Sequence, residues 1–326
     1  MKIVPNLSLA PGEDERALYK LAAKKLDIRP GDIEELTIRR RSLDARRKGA
    51  VKYVCTVAVR TKGEPAEPED TYNIPSVTPR GAPPVIAGFG PAGMFCALTL
   101  ARAGLRPIVL ERGLDADART ARVAAFRSGG ALDTECNVQF GEGGAGTFSD
   151  GKLNTGTHDR RIAHVLREFA NHGAPRSVTY DAKPHVGTDV LTRVVKSIRR
   201  EIISLGGEIR FSTKLTGLVR DESGAVTAAR VASGGVKYIE KCSALVLATG
   251  HSARDTFRML LSSGVPMEPK AFSLGARIEH PQAALDLQQY GIPRGKRLPA
   301  ADYSLSVRLP DGRGVYTFCM CPGGEV

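Results

Sequence analysis

The sequence predicts an α/β protein built around a Rossmann-like domain, and three segments carry the prediction. An apolar run from Val85 to Ala87 leads into the pattern Gly-x-Gly-x-x-Gly at residues 88–93. A second apolar strand, Pro107 to Leu110, ends at an acid, Glu111. A third, Ala244 to Ala248, has the length of a buried parallel strand. The first two enclose a helical segment, which is the order of a dinucleotide-binding unit.

Each residue type in the glycine turn (residues 88–93) has a physical reason. Gly88 allows a tight turn, Gly90 lets the backbone approach a pyrophosphate, and Gly93 lets the helix pack close to the strand. Pro91 has no amide to lose and suits the first helical position. The helix predicted from Ala92 to Ala103 directs its free amides at the phosphates.

The acid after the second strand indicates which dinucleotide binds. Glu111 stands where a carboxylate accepts hydrogen bonds from a ribose, which argues against a 2′-phosphate. Arg112 follows directly and is predicted to contact the cofactor too. The same glycine pattern recurs at residues 141–146, but no segment of helical period follows it. We therefore expect a loop there, without a second nucleotide fold.

Composition favours a globular protein of two domains. The chain has 326 residues, of which 42% are apolar and 25% charged. The start of the chain lacks the pattern of a signal peptide, and the apolar runs are far shorter than the ~20 residues that span a bilayer. We expect a cytoplasmic protein with no membrane partner. The six scattered cysteines predict reduced thiols, and the histidines are not grouped as a metal site.

The net charge of +12 is concentrated near the N-terminus. Arginines 39–41 leave a strand pattern, Asp44 follows them, and a second basic cluster occupies residues 46–48. A solvated hairpin edge explains this pattern. The alternatives are a contact surface for nucleic acid (RNA), for a phosphate or for a partner protein, and a surface on which another domain docks.

The chain divides into four predicted regions. Residues 1–62 form a small α+β domain, 63–84 a proline-rich linker, 85–262 the Rossmann-like domain, and 263–326 the start of a substrate domain. The predicted strands of the first domain are Lys2 to Leu9, Ile33 to Arg41 and Val51 to Arg60, around a helix from Glu13 to Leu26.

Three short strands separated by glycine turns predict an antiparallel meander inside the Rossmann-like domain. They run from Leu215 to Arg220, Val226 to Ala232 and Val236 to Lys241. We also predict helices at residues 160–171 and 188–205, and strands at 178–180, 208–211, 272–279 and 303–308. The meander disfavours a dehydrogenase that uses only NAD, whose fold continues with βαβ units.

With these features, the chain resembles the FAD-dependent oxidoreductases of the glutathione-reductase-like fold. It is closer to one group, the largely uncharacterised bacterial FAD-dependent dehydrogenases. That resemblance is carried by Asn137 to Leu153, by Arg40 to Arg46 and by Tyr316 to Gly324. The resemblance implies FAD as the cofactor and covers nearly the whole chain. In such flavoproteins one more strand returns to the sheet, and we find none, so we expect a C-terminally truncated chain.

The loop that carries the resemblance has glycines whose amides could approach a diphosphate or the flavin. The predicted cofactor contacts of the loop and of the third strand's end are Gly143, Gly144, Gly146, Thr147, Ser149, Thr249 and Gly250. Asp150 and Lys152 are the candidates for catalysis, and the alternative is that they pair with each other on the surface. His251 either contacts the cofactor or caps the next helix. Cys319 and Cys321 are expected to alternate on a strand.

The function that follows is an FAD-dependent oxidoreductase, in which hydride passes between an unknown small-molecule substrate and the flavin. NAD(P)H or another electron donor would be its partner. The alternative is a non-catalytic or RNA-associated flavin-binding protein that uses the basic N-terminal domain.

Overall fold

The computed structural model describes residues 1–66, 72–148, 151–153, 155, 157–318 and 320. Its N-terminal part is an antiparallel sheet of order β1-β3-β2 covered by one helix. These elements are β1 (Lys2–Leu9), α1 (Ala17–Leu26), β2 (Ile33–Asp44) and β3 (Lys52–Thr61). Leu18 and Ala22 of the helix pack with Val57 and Val59 of the central strand, and all four are buried. The predicted α+β arrangement is present.

Helix α1 begins four residues later than predicted. Glu13 accepts a hydrogen bond from the amide of Ala10 (2.9 Å), and Asp14 accepts one from the amide of Arg16 (2.8 Å). The two acids therefore close the turn before the helix instead of lying in its first turn, because short acidic side chains compete for nearby amides.

The central part is a four-stranded parallel sheet of order β10-β4-β5-β6. The order matches the predicted Rossmann-like fold, in which the first strand lies between the second and a later one. Its elements are β4 (Val85–Ala87), α2 (Pro91–Arg102), β5 (Ile108–Leu110), α3 (Ala116–Arg127), α4 (Arg161–Asn171), α5 (Thr188–Ser204), β6 (Glu208–Arg210), β7 (Thr213–Arg220), β8 (Val226–Ser233), β9 (Val236–Lys241), β10 (Leu245–Leu247) and α6 (Arg254–Ser262).

Alternate residues of the central strands face two different layers. Ile86 and Val109 pack against α2, α4 and α5, whereas Val85 and Leu110 pack against the β7-β8-β9 meander. A strand places successive side chains on opposite faces, so a run that is apolar throughout requires a cover on both. The meander provides the second cover and is antiparallel, as predicted.

One prediction for this domain was wrong, and one helix was not predicted. The segment predicted as a strand at 178–180 instead forms the end of a 3₁₀ helix, Arg176–Thr179, and the residue that follows it. The carbonyl of Ser177 accepts from the amides of Tyr180 and Asp181. Helix α3 was missed. Its sequence signal is Asp115, whose carboxylate accepts from the amides of Asp117 and Ala118 as an N-cap.

Beyond α6 the described chain is mostly irregular. It contains α7 (Gln282–Tyr290) and a hairpin of β11 (Ser306–Arg308) and β12 (Gly314–Tyr316). The strand predicted at 272–279 does not form, and Phe272 and Leu274 are 85% and 92% exposed. In the part of the chain that the structure describes, no helix is both long and apolar enough to cross a membrane.

The first domain docks on the Rossmann-like domain through Arg41. Its amide donates to the carbonyl of Tyr180 (2.8 Å), and its guanidinium donates to Asp181 (2.7 and 3.0 Å) and Glu15 (2.7 Å). It also lies 5.2 and 5.1 Å from the ring centres of Tyr53 and Tyr180. For this arginine, the docking alternative is therefore correct. An RNA contact by its neighbours stays a prediction.

Candidate functional site

The glycine turn lies between β4 and the start of α2, at the carboxyl end of the parallel sheet. Gly88 has φ +106°, and a Cβ there would lie 2.3 Å from the carbonyl oxygen of Ala248. A Cβ on Gly93 would lie 1.9 Å from the carbonyl oxygen of Gly88. Only glycine fits at these two positions. Pro91 is the first residue of α2, as predicted.

Glu111 is buried directly beneath this turn. Its Oε2 accepts from the amide of Phe89 (2.8 Å), and its Oε1 accepts from the amides of Gly113 (2.8 Å) and Gly141 (2.9 Å). Sequence reasoning expected ribose hydroxyls as its donors and missed these three amides. A carboxylate has about four acceptor positions, so Oε2 keeps capacity for one further donor. The ribose contact stays a prediction.

Arg112 belongs to an ion cluster beside the turn. Its guanidinium donates to Glu135 (2.8 Å) and Asp255 (3.0 and 3.1 Å) and lies 4.2 Å from the ring centre of Phe140. The ammonium group of Lys214 forms ion pairs with both Glu135 and Asp255. Burial favours a higher pKa for Asp255, but hydrogen bonds from Arg112 and Lys214 outweigh it and hold that pKa well below its usual range. If Arg112 contacts a cofactor, its guanidinium is shared between the cofactor and these two acids.

The second glycine segment, here called the glycine loop (residues 141–148), packs against the glycine turn. Gly143 donates its amide to the carbonyl of Phe89 (2.9 Å). A Cβ on Gly144 would lie 3.0 Å from Cα of Gly90 and 3.2 Å from Cδ of Pro91. The loop ends in a 3₁₀ helix, Gly144–Phe148, and the described residues between it and α4 contain no α-helix. The prediction of a loop is confirmed, and the fold brings the two segments together.

Arg119 of α3 holds the glycine loop from below and was missed by sequence reasoning. Its side chain is fully buried, and it donates to the carbonyls of Asn137 (3.0 Å), Glu142 (2.7 Å) and Gly144 (2.8 Å). It also lies 4.7 Å from the ring centre of Phe148. Burial lowers the pKa of Arg119 to about 10. Its Nη2 atom is buried without a hydrogen-bond partner among the described residues.

Glu142 makes the reciprocal contact from the loop to the start of α3. Its Oε2 accepts from the amide of Ala116 (2.7 Å) and lies 3.2 Å from Nη1 of Arg199. Burial raises the pKa of Glu142. Its Oε1 is buried and has no hydrogen-bond partner in the described part of the chain. A buried polar atom left without a partner costs about 1–3 kcal/mol.

The remaining predicted site residues have mixed outcomes. Thr147 is buried and donates its hydroxyl to the carbonyl of Glu142 (3.2 Å), while a Cβ on Gly146 would meet no atom within 4 Å. The predicted contacts at Ser149 and Asp150 lie outside the described residues. Lys152 pairs by its backbone with His185 in an antiparallel bridge. Lys152 therefore lies just past the glycine loop, beside a histidine.

The end of the third strand lies against the glycine turn. The carbonyl of Ala248 faces Gly88, so Thr249 and Gly250 begin next to that residue. His251 bonds to the hydroxyl of its neighbour Ser252 (2.6 Å), two residues before α6 begins. Whether Thr249, Gly250 or His251 contacts a cofactor stays a prediction.

The thiols and metal-binding residue types complete the inventory of reactive groups. Cys319 and Cys321 fall outside the described residues, whereas Cys55, Cys96, Cys136 and Cys242 are free thiols whose pKa values burial raises. Within the described ranges, no group of three or more His, Cys, Asp or Glu side chains could hold a metal ion.

Two family models match the ends of the chain. Residues 271–326 match the family described as FAD-dependent protein, C-terminal domain-like, and residues 1–60 match a domain of unknown function (DUF8436). An uncharacterized protein of Clostridium beijerinckii is 46% identical over 99% of this chain. The chain spans 63% of that relative's length.

Solved structures of low sequence identity resemble parts of the chain. The THI4 protein of Thermovibrio ammonificans is 15% identical, with a TM-score of 0.38 over 57% of this chain and 64% of that one. The 3-ketosteroid-Δ4-(5α)-dehydrogenase of Rhodococcus jostii is 17% identical, with a TM-score of 0.37 over 56% of this chain and 48% of that one. The family match at residues 271–326 confirms the predicted resemblance to FAD-dependent proteins, and FAD as the cofactor.

Proposed function

We propose that this chain is the cofactor-binding part of an FAD-dependent oxidoreductase. One observation carries the proposal. The glycine turn lies at the carboxyl end of the parallel sheet, where ligands of open α/β sheets bind, and its Gly88 and Gly93 positions leave no room for a Cβ. Bound FAD would supply a ring that accepts or donates hydride.

The residues around the turn fit the adenosine diphosphate half of FAD. Gly90 is the extended residue before α2, and amides at the start of that 12-residue helix favour a phosphate through hydrogen bonds and the helix dipole. The remaining acceptor position on Oε2 of Glu111 would take one ribose hydroxyl. The proposed contacts therefore come from the backbone and from one buried carboxylate.

Lys152 and Asp150, which follow the glycine loop in the sequence, are the proposed reactive residues. A lysine cation beside the flavin ring would favour its anionic reduced form. Lys152 follows the loop and is bridged to His185, which fixes the backbone at that point. The substrate and the electron donor, NAD(P)H or another reductant, belong to the whole protein and are not assigned.

Titration of the purified full chain with FAD tests this function. We expect saturable binding of one FAD per chain by calorimetry, and a flavin absorption spectrum that persists after gel filtration. ADP should compete with FAD, because the proposed contacts lie on the adenosine diphosphate half. NADP⁺ should compete poorly, since a buried carboxylate disfavours its 2′-phosphate. A chain that binds neither FAD nor ADP would contradict the proposal.

A further inference from the structure

Arg119 is a buried cation whose hydrogen bonds all go to carbonyl oxygens of one stretch of chain. The acceptors are Asn137, Glu142 and Gly144, at 3.0, 2.7 and 2.8 Å. Among the described residues, no carboxylate lies within 4.0 Å of its guanidinium, so no direct ion pair neutralises its charge. A buried arginine is ordinarily paired, and this one instead orients backbone.

The carbonyls that Arg119 holds determine where the loop amides point. In a trans peptide the N–H points opposite to the C=O of the same unit. With the carbonyls of Glu142 and Gly144 directed at Arg119, the amides of Gly143 and Ala145 point away from it. The amide of Gly143 indeed reaches the carbonyl of Phe89, within the glycine turn. The amide face of the loop is therefore the face turned toward the start of α2.

We propose that Arg119 is a positioning residue for the cofactor diphosphate. It holds the glycine loop with its amides toward the start of α2, where backbone N–H groups would face the anion. This inference rests on the proposed function, because it assigns a role at the same FAD site. Arg119 acts through the loop and is not itself a catalytic residue.

Glu142 is the counterpart in this arrangement. It is fully buried, and its bond to the amide of Ala116 ties the loop to the first residue of the helix that carries Arg119. The loop and α3 are thus joined in both directions, by an arginine to the loop backbone and by a glutamate to the helix backbone. Removing either side should release the same loop.

The test compares Arg119→Met with Arg102→Met. Arg102 is a matched control, since it also donates three hydrogen bonds in a partly buried network, to Glu168 and Glu201, away from the loop. For Arg119→Met we expect about tenfold weaker binding of both FAD and ADP, as for loss of hydrogen bonds from one charged group. Arg102→Met should keep the wild-type affinities. Equal affinity in Arg119→Met and wild type would overturn the inference, and so would an equal loss in both variants.

Arg119→Lys keeps the positive charge but cannot reproduce the three hydrogen bonds to the loop carbonyls. This variant also tests the inference if Arg119→Met does not fold. Hydrogen exchange should then be faster in a peptide covering residues 141–148 and unchanged in α4, with affinity for FAD reduced less than in Arg119→Met. Glu142→Ala should accelerate exchange in the same peptide. Unchanged exchange in both variants would overturn the inference. Wild-type protein that binds neither FAD nor ADP would instead refute the proposed function, which distinguishes the two failures.

Discussion

The chain contains the pattern Gly-x-Gly-x-x-Gly twice, and the two copies fold differently. Residues 88–93 connect a strand to a 12-residue helix, whereas residues 141–146 lead into a five-residue 3₁₀ helix. Small and apolar residues continue the first copy for three helical turns. The second continues with Thr147 and Phe148 and no helical period. The pattern alone therefore does not specify a nucleotide turn.

The glycines themselves are required for different reasons in the two copies. In the glycine turn the third glycine, Gly93, is closed in by the carbonyl of Gly88. In the glycine loop the third glycine, Gly146, is open, and the constraints fall on Gly141 and Gly143, whose φ angles are +121° and +80°. Close packing of a helix on a strand makes the last glycine obligatory in one copy. In the glycine loop, left-handed backbone makes glycine obligatory at the two earlier positions, Gly141 and Gly143.

The largest effect that separates the two copies is expected from alanine at their third glycines. Gly93→Ala should lower the free energy of unfolding by about 3 kcal/mol or more, because the new methyl meets backbone that cannot move away. Gly146→Ala should change it by less than about 0.5 kcal/mol, since its Cβ meets nothing. Urea unfolding of both variants measures this. Similar losses at the two positions would show that the copies are structurally equivalent.

An intermediate effect is expected at the carboxylate that joins the two copies. Glu111 accepts from Phe89 in the glycine turn and from Gly141 in the glycine loop. Glu111→Gln keeps one acceptor oxygen and leaves buried amides unpaired, so we expect a loss of about 2 kcal/mol in unfolding free energy. Glu135→Gln, at an exposed ion pair, is the control and should cost less than about 1 kcal/mol. An equal loss of unfolding free energy in Glu135→Gln and Glu111→Gln would contradict this role.

The smallest effect is a difference in pH dependence between the two regions. The pKa of Glu142, in the glycine loop, is raised from 4.5, so its contribution to stability is present below pH 4.5 and is lost as the pH rises through the folded value. The pKa of Asp255, which pairs with Arg112 beside the glycine turn, is lowered from 3.8. Its contribution is present above pH 3.8 and is lost as the pH falls through the folded value.

Unfolding measured against pH in Glu142→Gln and Asp255→Asn checks both signs. The stability of wild type relative to Glu142→Gln should fall from pH 4 upward, by no more than about 1.4 kcal/mol per pH unit. Relative to Asp255→Asn it should fall below pH 4, and by less than about 1 kcal/mol because the Asp255 side chain is 44% exposed. Slopes of the same sign would show that burial does not dominate at Glu142.

Sequence reasoning succeeded where structure depends on neighbours along the chain. The glycine turn, the strands on either side of α2 and the antiparallel meander were predicted within a few residues. It failed where short segments take their structure from distant partners. Residues 178–180 form a 3₁₀ turn against Arg41, and residues 272–279 form no strand. The contacts of Arg112 with Glu135, Asp255 and Phe140 were not predicted either, and its cofactor contact stays a prediction.

Local pattern was sufficient to establish the Rossmann-like unit, because tight turns, helix starts and alternating strands follow from residue type and spacing. Tertiary structure decided that the glycine loop lies on the glycine turn, that Glu111 accepts from both, and that Arg119 and Glu142 hold the loop. Those contacts join residues 18 to 54 positions apart, from Arg119 with Asn137 to Phe89 with Gly143. A buried charge reveals its partners only when the chain has folded around it.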